Sequence, residues 1–455
     1  MKLFIYFFLL SISINCFSQT GIFPVGPGIG TKGEFHYGVL SLFCTEDSLY
    51  VGSTNNSNKL SGFKNIGLWD GTRFHDLNAD TLDGVVYTSV IYNGNLVVGG
   101  DFYGNNQNYG IIAQRVNGEW KPMGPGCCNS GDDIRALCVY KGELYAGGAF
   151  LNIGGVKNLT SIARWDGTKW KPVGKGVEGA GREVRAMTVF NGELIVGGSF
   201  TSAGGVEAYC VAKWNGTRWS PLGQGIGNIV NSLYADTVNN ILVAGGGFEG
   251  EPGDTTVSTA IAQFDGISWK KMGQTNFFKS NVYTLCGYHG KIYAGSGFDQ
   301  KTDPKFSVWD GNKWEMVIPQ PDEQIKALRV FKDDLYLAGG FLTFGGDSIY
   351  RIARYHNDDK VGVFQLADKT QEKNKTIFFP NPFINKIKID LEHNENAIIQ
   401  LILYDVLGNR KKEFDIKEGT KNKEFDFSDL NTGIYLVKLI NSSNNEVIVK
   451  RLIKN

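Results

Sequence analysis

Histidine is scarce in this chain, with five residues among 455, at positions 36, 75, 289, 356 and 393. None of them forms an HExxH motif, no EF-hand loop is present, and the cysteines lack the spacing of zinc ligands. No nucleophile stands in a recognisable catalytic arrangement. The sequence therefore predicts no metal or other cofactor, and it favours binding over catalysis.

Net charge is also absent, because 46 lysine and arginine residues balance 46 aspartate and glutamate residues. A balanced chain gives no electrostatic reason to expect a nucleic acid or an anionic membrane as a partner. The apolar run from Leu3 to Ile14 follows Lys2 and is too short to span a bilayer comfortably. This pattern predicts a signal peptide over residues 1–18, cleaved before Gln19, and no integral membrane segment afterwards.

Cysteine is limited to seven residues. Cys16 is open to a second interpretation as a lipoprotein cysteine, although the residue before it fits that pattern poorly. Signal cleavage leaves an even number of cysteines, which permits disulfides without fixing their pairing. Cys138 and Cys286 occupy matching repeat positions and are interpreted as small buried apolar residues. The adjacent Cys127 and Cys128 are more prone to oxidation.

Glycine, in contrast, is abundant at 59 residues, and much of it recurs in doublets at the ends of short apolar strands. A preceding segment of alternating hydrophobicity predicts a strand with one buried face. Aromatic residues flank an Asp-Gly or Asn-Gly turn after the doublet, as at Trp165 and Trp170, and these dipeptides are strong hairpin signals. The doublet strands, including two that end in Gly-Ser and one in Ala-Gly, are Leu49–Ser53, Leu96–Gly100, Leu144–Gly148, Leu194–Gly198, Leu242–Gly246, Ile292–Ser296 and Leu335–Gly339.

The second aromatic residue recurs at positions 74, 120, 170, 219, 269 and 314, which are 45 to 50 residues apart. Each period holds four short strands, A to D, with B entering the doublet and C and D flanking the Asp-Gly turn. Four strands cannot bury both faces alone, so the repeats must stack, and this period is typical of a β-propeller. We predict an all-β fold with a seven-bladed propeller over residues 19–365.

The glycine doublet, the Trp-Asp-Gly turn and the tryptophan after it closely resemble kelch repeats, over roughly residues 22–360. This resemblance implies the propeller architecture and a binding platform, and only rarely an enzyme. The seventh repeat lacks a fourth strand of the Trp-x-Pro-Val-Gly kind. The stretch Phe23–Gly26 matches Lys171–Gly174, so we expect residues 22–27 to complete the last blade.

A different domain, residues 377–455, follows a polar linker at 366–376. Four motifs occur in order: Pro380-Asn381-Pro382, a segment around Gly408, a strand with Gly433 and Tyr435, and a final strand with Lys450, Arg451 and Lys454. An ordinary β-sandwich explains the strands but not this order. The domain resembles the C-terminal sorting domain of type IX secretion in Bacteroidetes, a small immunoglobulin-like sandwich. The resemblance implies the secretion machinery and its sortase as partners, and a location outside the cell or on its surface, reached through the periplasm.

Loop length distinguishes the two ends of the predicted blades. The A–B and C–D turns are short, whereas the B–C loops and D–A connections are longer and share one face, which we call the loop face. We predict that a surface ligand, a glycan or a protein, binds there. The candidate residues are Tyr103, Asn105, Asn106, Gln107 and Tyr109 in one loop, and Phe277, Phe278 and Lys279 in an exposed cluster.

Two functions remain open at this point. The first is a non-catalytic binding or adhesion module, and the alternative is a secreted carbohydrate-active enzyme, a hydrolase or lyase on a propeller scaffold. Carboxylates, histidines or tyrosines that converge on the loop face or the central channel would favour the enzyme.

Overall fold

The structure, a computed structural model, describes most of the chain, and within the described residues every regular element is a β-strand. The all-β prediction is therefore confirmed. The predicted signal peptide, residues 1–18, and residues 366–375 of the predicted linker lie outside the described residues. The described ranges are 21–30, 38–54, 62–79, 82–103, 110–124, 131–236, 240–248, 260–274, 276–297, 303–357, 376–379, 385–391, 399–405, 410–417, 422–430, 433–441 and 447–454.

The strands of the larger, N-terminal part are short. They are β1 (Gly21–Pro24), β2 (Val39–Cys44), β3 (Leu49–Ser53), β4 (Ile66–Trp69), β5 (Phe74–Asp76), β6 (Asp83–Tyr92), β7 (Asn95–Tyr103), β8 (Ile112–Val116), β9 (Glu119–Pro122), β10 (Asp133–Tyr140), β11 (Glu143–Ala149), β12 (Ile162–Trp165), β13 (Trp170–Pro172), β14 (Val177–Glu178), β15 (Glu183–Phe190) and β16 (Glu193–Ser199). They continue as β17 (Ser202–Ala203), β18 (Val206–Glu207), β19 (Val211–Trp214), β20 (Trp219–Pro221), β21 (Asn228–Asp236), β22 (Ile241–Phe248), β23 (Ile261–Phe264), β24 (Trp269–Lys271), β25 (Val282–Tyr288), β26 (Lys291–Ser296), β27 (Phe306–Trp309), β28 (Trp314–Met316), β29 (Ile325–Phe331), β30 (Asp334–Gly339), β31 (Thr343–Phe344), β32 (Asp347–Ser348) and β33 (Ile352–His356).

These strands form seven antiparallel sheets of four strands, which we number in chain order and whose strands we label A to D. The orders are β2-β3-β4-β5, β6-β7-β8-β9, β10-β11-β12-β13, β15-β16-β19-β20, β21-β22-β23-β24, β25-β26-β27-β28 and β29-β30-β33-β1. The remaining strands make two small sheets, β14-β17-β18 and β31-β32.

Strand D of the seventh sheet comes from the other end of the chain. Strand β1 pairs with β33, with Ile22 opposite Tyr355 and Phe23 opposite Arg354. A proline at the end of β1 is tolerated because strand D lies at the sheet edge, where one side of the backbone needs no partner. The prediction that the N-terminal segment completes the last sheet is confirmed.

The A strands connect successive sheets. Strand β2 contacts β6, and the series continues through β10, β15, β21, β25 and β29, which in turn contacts β2. Seven buried apolar clusters fill the spaces between consecutive sheets, one for each pair, including the pair formed by the seventh and first sheets. The apolar core therefore lies between the sheets, and burial there is the main source of stability.

Tryptophan explains why the second aromatic position recurs. In five sheets the indole nitrogen donates a hydrogen bond to the carbonyl oxygen just after strand D of the preceding sheet. The bonds are Trp120 to Leu77 at 3.0 Å, Trp170 to Met123 at 2.7 Å, Trp219 to Val173 at 2.8 Å, Trp269 to Leu222 at 3.0 Å and Trp314 to Met272 at 3.1 Å. Each such bond satisfies a buried donor and links two sheets.

The C-terminal part contains two further antiparallel sheets, β34-β35-β38 and β37-β36-β39-β40. Their inward-facing residues, such as Ile389 and Leu439, share one core. The strands are β34 (Thr376–Phe379), β35 (Lys386–Leu391), β36 (Ile399–Asp405), β37 (Arg410–Ile416), β38 (Asn422–Asp426), β39 (Gly433–Asn441) and β40 (Val447–Lys454). Among the residues described, no helix is long and apolar enough to cross a membrane.

Candidate functional site

A β-bulge occurs at the same place in all seven A–B strand pairs. One extra residue in strand A has no partner in strand B. The bulge changes the direction in which the side chain of this extra residue points. We call these seven residues the bulge cluster. They are Leu40, Tyr87, Arg135, Arg185, Asn231, Tyr283 and Lys326.

The glycine doublet makes room for both the bulge and the next sheet. A Cβ atom on Gly148 would lie 2.0 Å from the Asp133 carbonyl oxygen, which the bulge brings close. A Cβ atom on Gly147 would lie 2.4 Å from Cγ1 of Val184, in strand A of the following sheet. Each glycine of the doublet is therefore needed because a neighbouring group lies close to its backbone, from strand A of the same sheet at one glycine and from the next sheet at the other.

Charged groups of the third and fourth sheets form a continuous network. The Arg135 Nη2 atom lies 2.8 Å from Asp133 Oδ2, and its Nε atom lies 2.6 Å from Glu183 Oε1. Glu183 Oε2 accepts a bond from Arg185 Nε at 2.8 Å, and Arg185 Nη1 donates to Asn231 Oδ1 at 3.0 Å. Both guanidinium groups thus have carboxylate partners.

Lys326 of the seventh sheet differs from the two arginines. Its Nζ atom lies 3.2 Å from the centroid of the Tyr283 ring, and no carboxylate forms an ion pair with it within the described ranges. Burial lowers the pKa of Lys326 to about 8, and the positive charges of Arg185 and Arg135 act in the same direction. Side chains from the third, fourth and seventh sheets therefore face a common space.

Two members of the bulge cluster, Tyr87 and Tyr283, are tyrosines, and their rings face its cations. The Arg135 guanidinium carbon lies 5.2 Å from the centroid of the Tyr87 ring, within the range of a cation–π contact. Burial raises the pKa of Tyr283, and the charge of Arg185 partly opposes that rise. Aromatic, cationic and acidic groups from five sheets, the second, third, fourth, sixth and seventh, thus lie near the starts of the A strands.

Two cavities open at the fourth sheet. One has a volume of about 570 Å³ and is lined by residues that include Ser199, Tyr209 and Asn228. The other has about 460 Å³ and is lined by Glu178 and Arg182 among others. These volumes suit small ligands. Ser199 pairs with Glu183 across strands A and B, so the larger cavity adjoins the charged network.

The predicted ligand loop lies mostly outside the described residues. Tyr103 ends strand β7, and its side chain is outside the description, as are residues 104–109 with Asn105, Asn106, Gln107 and Tyr109. Their role in binding stays a prediction.

The second predicted cluster is only partly exposed. Phe278 is 5% exposed, and its ring packs edge-to-face against Trp314 at a centroid distance of 5.3 Å. The expectation that Phe278 is exposed is therefore wrong, because its ring joins the apolar core between the fifth and sixth sheets. Phe277 packs beside it, and only Lys279 is exposed.

The predicted sorting residues are distributed over the C-terminal sheets. Tyr435, on the strand that Gly433 begins, is buried in the shared core. Lys450 and Arg451 lie on β40, opposite Val437 and Leu436. The remaining predicted residues, Pro380, Asn381, Pro382 and Gly408, lie outside the described residues.

Lys454 is buried although it is the penultimate residue. Its Nζ atom donates a hydrogen bond to the Phe427 carbonyl oxygen at 3.1 Å and another to Asn385 Oδ1 at 3.3 Å. Its amine is therefore engaged within the domain.

The prediction from sequence missed the bulge cluster entirely. A usable signal exists, because each bulge residue directly follows a valine or isoleucine that is buried in strand A, as in Ile134-Arg135 and Val184-Arg185. Aligning the repeats on that β-branched residue would have placed three cations and two tyrosines at one position.

Comparison with known proteins identifies the C-terminal domain. Residues 377–455 match the family model described as a secretion system C-terminal sorting domain. The chain is thus exported through type IX secretion, to the cell surface or into the medium, as predicted. No curated protein matches the chain.

Two solved structures of low sequence identity are similar to the chain over most of its length. The surface component PorZ of the type IX secretion system of Porphyromonas gingivalis is 14% identical with a TM-score of 0.44, over 94% of this chain. The chain spans 60% of the length of that protein. A fungal alcohol oxidase of the AA5 family, solved with copper, is 14% identical with a TM-score of 0.48, over 96% of this chain and 98% of its own. In the part of the chain that is described, no group of three His, Cys, Asp or Glu residues is placed to hold a metal ion.

Proposed function

We propose that residues 19–365 form a seven-bladed β-propeller of kelch-like repeats that acts as a non-catalytic binding or adhesion module outside the cell. The cyclic contacts of the A strands and the apolar clusters between consecutive sheets support this architecture. In such a ring the A strands surround a central channel, and the bulge cluster lies at its mouth on the loop face.

The observation that carries the binding function is the bulge cluster. Seven sheets each place one side chain at the same register, and three of these side chains are cationic and two are tyrosines. A convergent polar set beside a cavity of about 570 Å³ is the usual form of a ligand site. Stability alone does not require these residue types, because Leu40 occupies the same position in the first sheet.

The last part of the proposal concerns how the C-terminal domain is used in export. We propose that the machinery of type IX secretion and its sortase act on residues 377–455, and that the linker at 366–376 separates this domain from the binding module. The exported module then meets ligands at the cell surface or in the medium, whether these are glycans or proteins.

A glycan array with the full-length protein tests the binding function, followed by product analysis on each hit. We expect binding without turnover, and we expect Arg185→Gln to weaken it. The conservative variant Arg185→Lys separates loss of charge from loss of the two directed bonds that the guanidinium makes to Glu183 and Asn231. Absence of binding to glycans and to surface extracts of the producing cell would refute the proposal.

A carbohydrate-active enzyme is the second candidate, because carboxylates and tyrosines do converge at this site. Asp133 and Glu183 both contact Arg135, and Tyr87 lies on its other side. Glycoside hydrolysis requires a carboxyl group that is free to donate a proton to the substrate, whereas both carboxylates here are held by arginine. Binding is thus the better-supported function, and product formation that Glu183→Gln abolishes would establish the enzyme instead.

A further inference from the structure

We propose that the bulge cluster binds a hydroxyl-rich ligand with a single carboxylate, one uronic acid residue of a polysaccharide, and that Lys326 binds that carboxylate. This inference rests on the proposed binding function and specifies its ligand class. It follows from which charges in the cluster are paired and which are not.

Lys326 is the cation that lacks a countercharge. Arg135 and Arg185 form ion pairs with Asp133 and Glu183, whereas the ammonium group of Lys326 lies 3.2 Å from the centre of a neutral tyrosine ring. A ring face attracts a cation but does not neutralise it. A carboxylate that enters this half-buried space gains from the charge of Lys326 with little screening by water.

The acidic members of the cluster limit the ligand to few negative charges. The carboxylate oxygens of Asp133 and Glu183 only accept hydrogen bonds in their ion pairs, so they repel a second anion and favour hydroxyl donors. Asn231 adds an amide that bonds either kind of group. A uronic acid residue provides one carboxylate and several hydroxyl groups, whereas an acidic peptide would place several carboxylates beside Asp133 and Glu183.

The adjoining cavity provides room for the rest of such a chain. It has a volume of about 570 Å³ and is lined by Ser199 and Asn228, which lie on the strands that carry or face the charged network. Tyr209, which also lines the cavity, is 39% exposed and is suited to contact with a neighbouring sugar.

Calorimetric titration of the full-length protein tests the inference with three probes: an aldotriouronate (xylobiose that carries one glucuronic acid residue), neutral xylotriose and hexaglutamate. Lys326→Gln should weaken aldotriouronate binding by at least about tenfold, the loss expected for one charge-assisted hydrogen bond. Lys326→Arg should retain most of the affinity. Lys169→Gln, which removes the same charge from an exposed C–D turn of the third sheet, away from the loop face, is the matched control and should bind as wild type.

The outcomes separate this inference from the proposed function. Equal binding of the aldotriouronate by wild type and Lys326→Gln, a preference for hexaglutamate, or no binding of the aldotriouronate would overturn the inference. Array hits with neutral glycans would leave the binding function intact in each case. If Lys326→Gln unfolds, protection of Lys326 from acetic anhydride by the aldotriouronate in the wild type decides instead, and absence of protection overturns the inference.

Discussion

The indole nitrogen of Trp69 lies 3.3 Å from the phenolic oxygen of Tyr336, although 267 residues separate the two in the chain. This contact joins the first sheet to the seventh. Lys332 adds a second bond between these sheets, from Nζ to the Asp70 carbonyl oxygen at 2.6 Å. Arg351 fixes the connection that follows β1, through a buried bond from Nη1 to the Ile29 carbonyl oxygen at 2.8 Å.

The aromatic position at this interface differs from that of five others. Phe74 stands where five other sheets have a tryptophan, and its ring has no N–H group to donate. The carbonyl oxygen of Val25, which corresponds to that of Met123, therefore receives no indole bond. Tyr336 and Lys332 do provide polar links here, and the lysine bond has a counterpart from Lys141 Nζ to the Asn215 carbonyl oxygen at 2.7 Å between the third and fourth sheets.

Removal of residues 19–28 should strongly destabilise the N-terminal part. The deletion removes β1 and the buried side chain of Val25, and it exposes the edge of β33. One fully buried valine contributes about 1.5–3 kcal/mol, and the lost strand pairing adds to it. We expect the melting temperature by calorimetry to fall by about 10 °C or more. A chain without residues 1–18 only is the control, and an unchanged melting temperature would contradict closure by β1.

The indole bonds should have a measurable effect on stability. Trp170→Phe leaves the buried Met123 carbonyl oxygen without its indole donor and removes part of a large ring. We expect a loss of about 2–4 kcal/mol in the free energy of unfolding from urea titration. Trp309→Phe is the matched control. Because Trp309 is half-buried, this substitution should lower the free energy of unfolding by less. Equal losses would show that ring size alone matters.

Cysteine reactivity provides a third test. The described cysteines, Cys44, Cys138, Cys210 and Cys286, are free thiols. Burial raises the pKa of Cys138 and of Cys286 to about 11, so little thiolate exists at pH 8. Alkylation of both by iodoacetamide at pH 8 should be about two orders of magnitude slower than in urea-unfolded protein, by mass spectrometry. Similar rates in the folded and unfolded protein would contradict the buried environment.

Much of this architecture could be predicted from sequence because its signals are local. The Asp-Gly turns, the glycine doublets and the Phe23–Gly26 match are each read within a few residues. The bulge cluster depends on strand register, which brings Arg135 and Lys326 together across 191 positions of sequence. The exposure of Phe278 likewise depends on Trp314 of another strand. The sheets could therefore be predicted from local sequence patterns, whereas the site could not, because it depends on packing between distant parts of the chain.

Lys326 should reduce stability in the absence of a ligand. Its pKa in the folded protein is about 8, below its ordinary value of 10.5, so between these values the unfolded chain binds more protons. The contribution of this group to stability therefore rises with pH through that window. We expect Lys326→Met to melt higher than wild type at pH 7, with a difference that shrinks toward pH 10. Tyr283, Arg185 and Arg135 are the titratable groups that face it.

A wild-type protein that melts as high as Lys326→Met at pH 7 would show that the lysine is well solvated. Lys157→Met is the control for the change in side-chain polarity, since Lys157 is exposed. A stability cost at Lys326 is expected of a binding residue, because a site that awaits an anion retains an unbalanced charge.

Export should depend on the last strand. Truncation after Asn445 removes β40, which pairs with β39 through eight residue pairs and buries Leu452. No pairing links β40 to strands β1–β33 in the described ranges, so the N-terminal sheets should still fold. We expect the truncated protein to accumulate in the periplasm in folded form, whereas the intact protein reaches the surface or the medium. Cell fractionation with limited proteolysis measures both.

A finer variant separates recognition of the last strand from loss of the domain fold. Replacing Lys450 and Arg451 by glutamine retains the backbone pairing of β40 with Val437 and Leu436. Replacing Lys411 and Lys417 by glutamine removes the same charge elsewhere in the domain and is the control. If recognition requires the basic residues of the last strand, only the first pair should block export. Equal export of both pairs would assign recognition to another part of residues 377–455, and efficient export of the truncated chain would contradict a sorting role for β40 altogether.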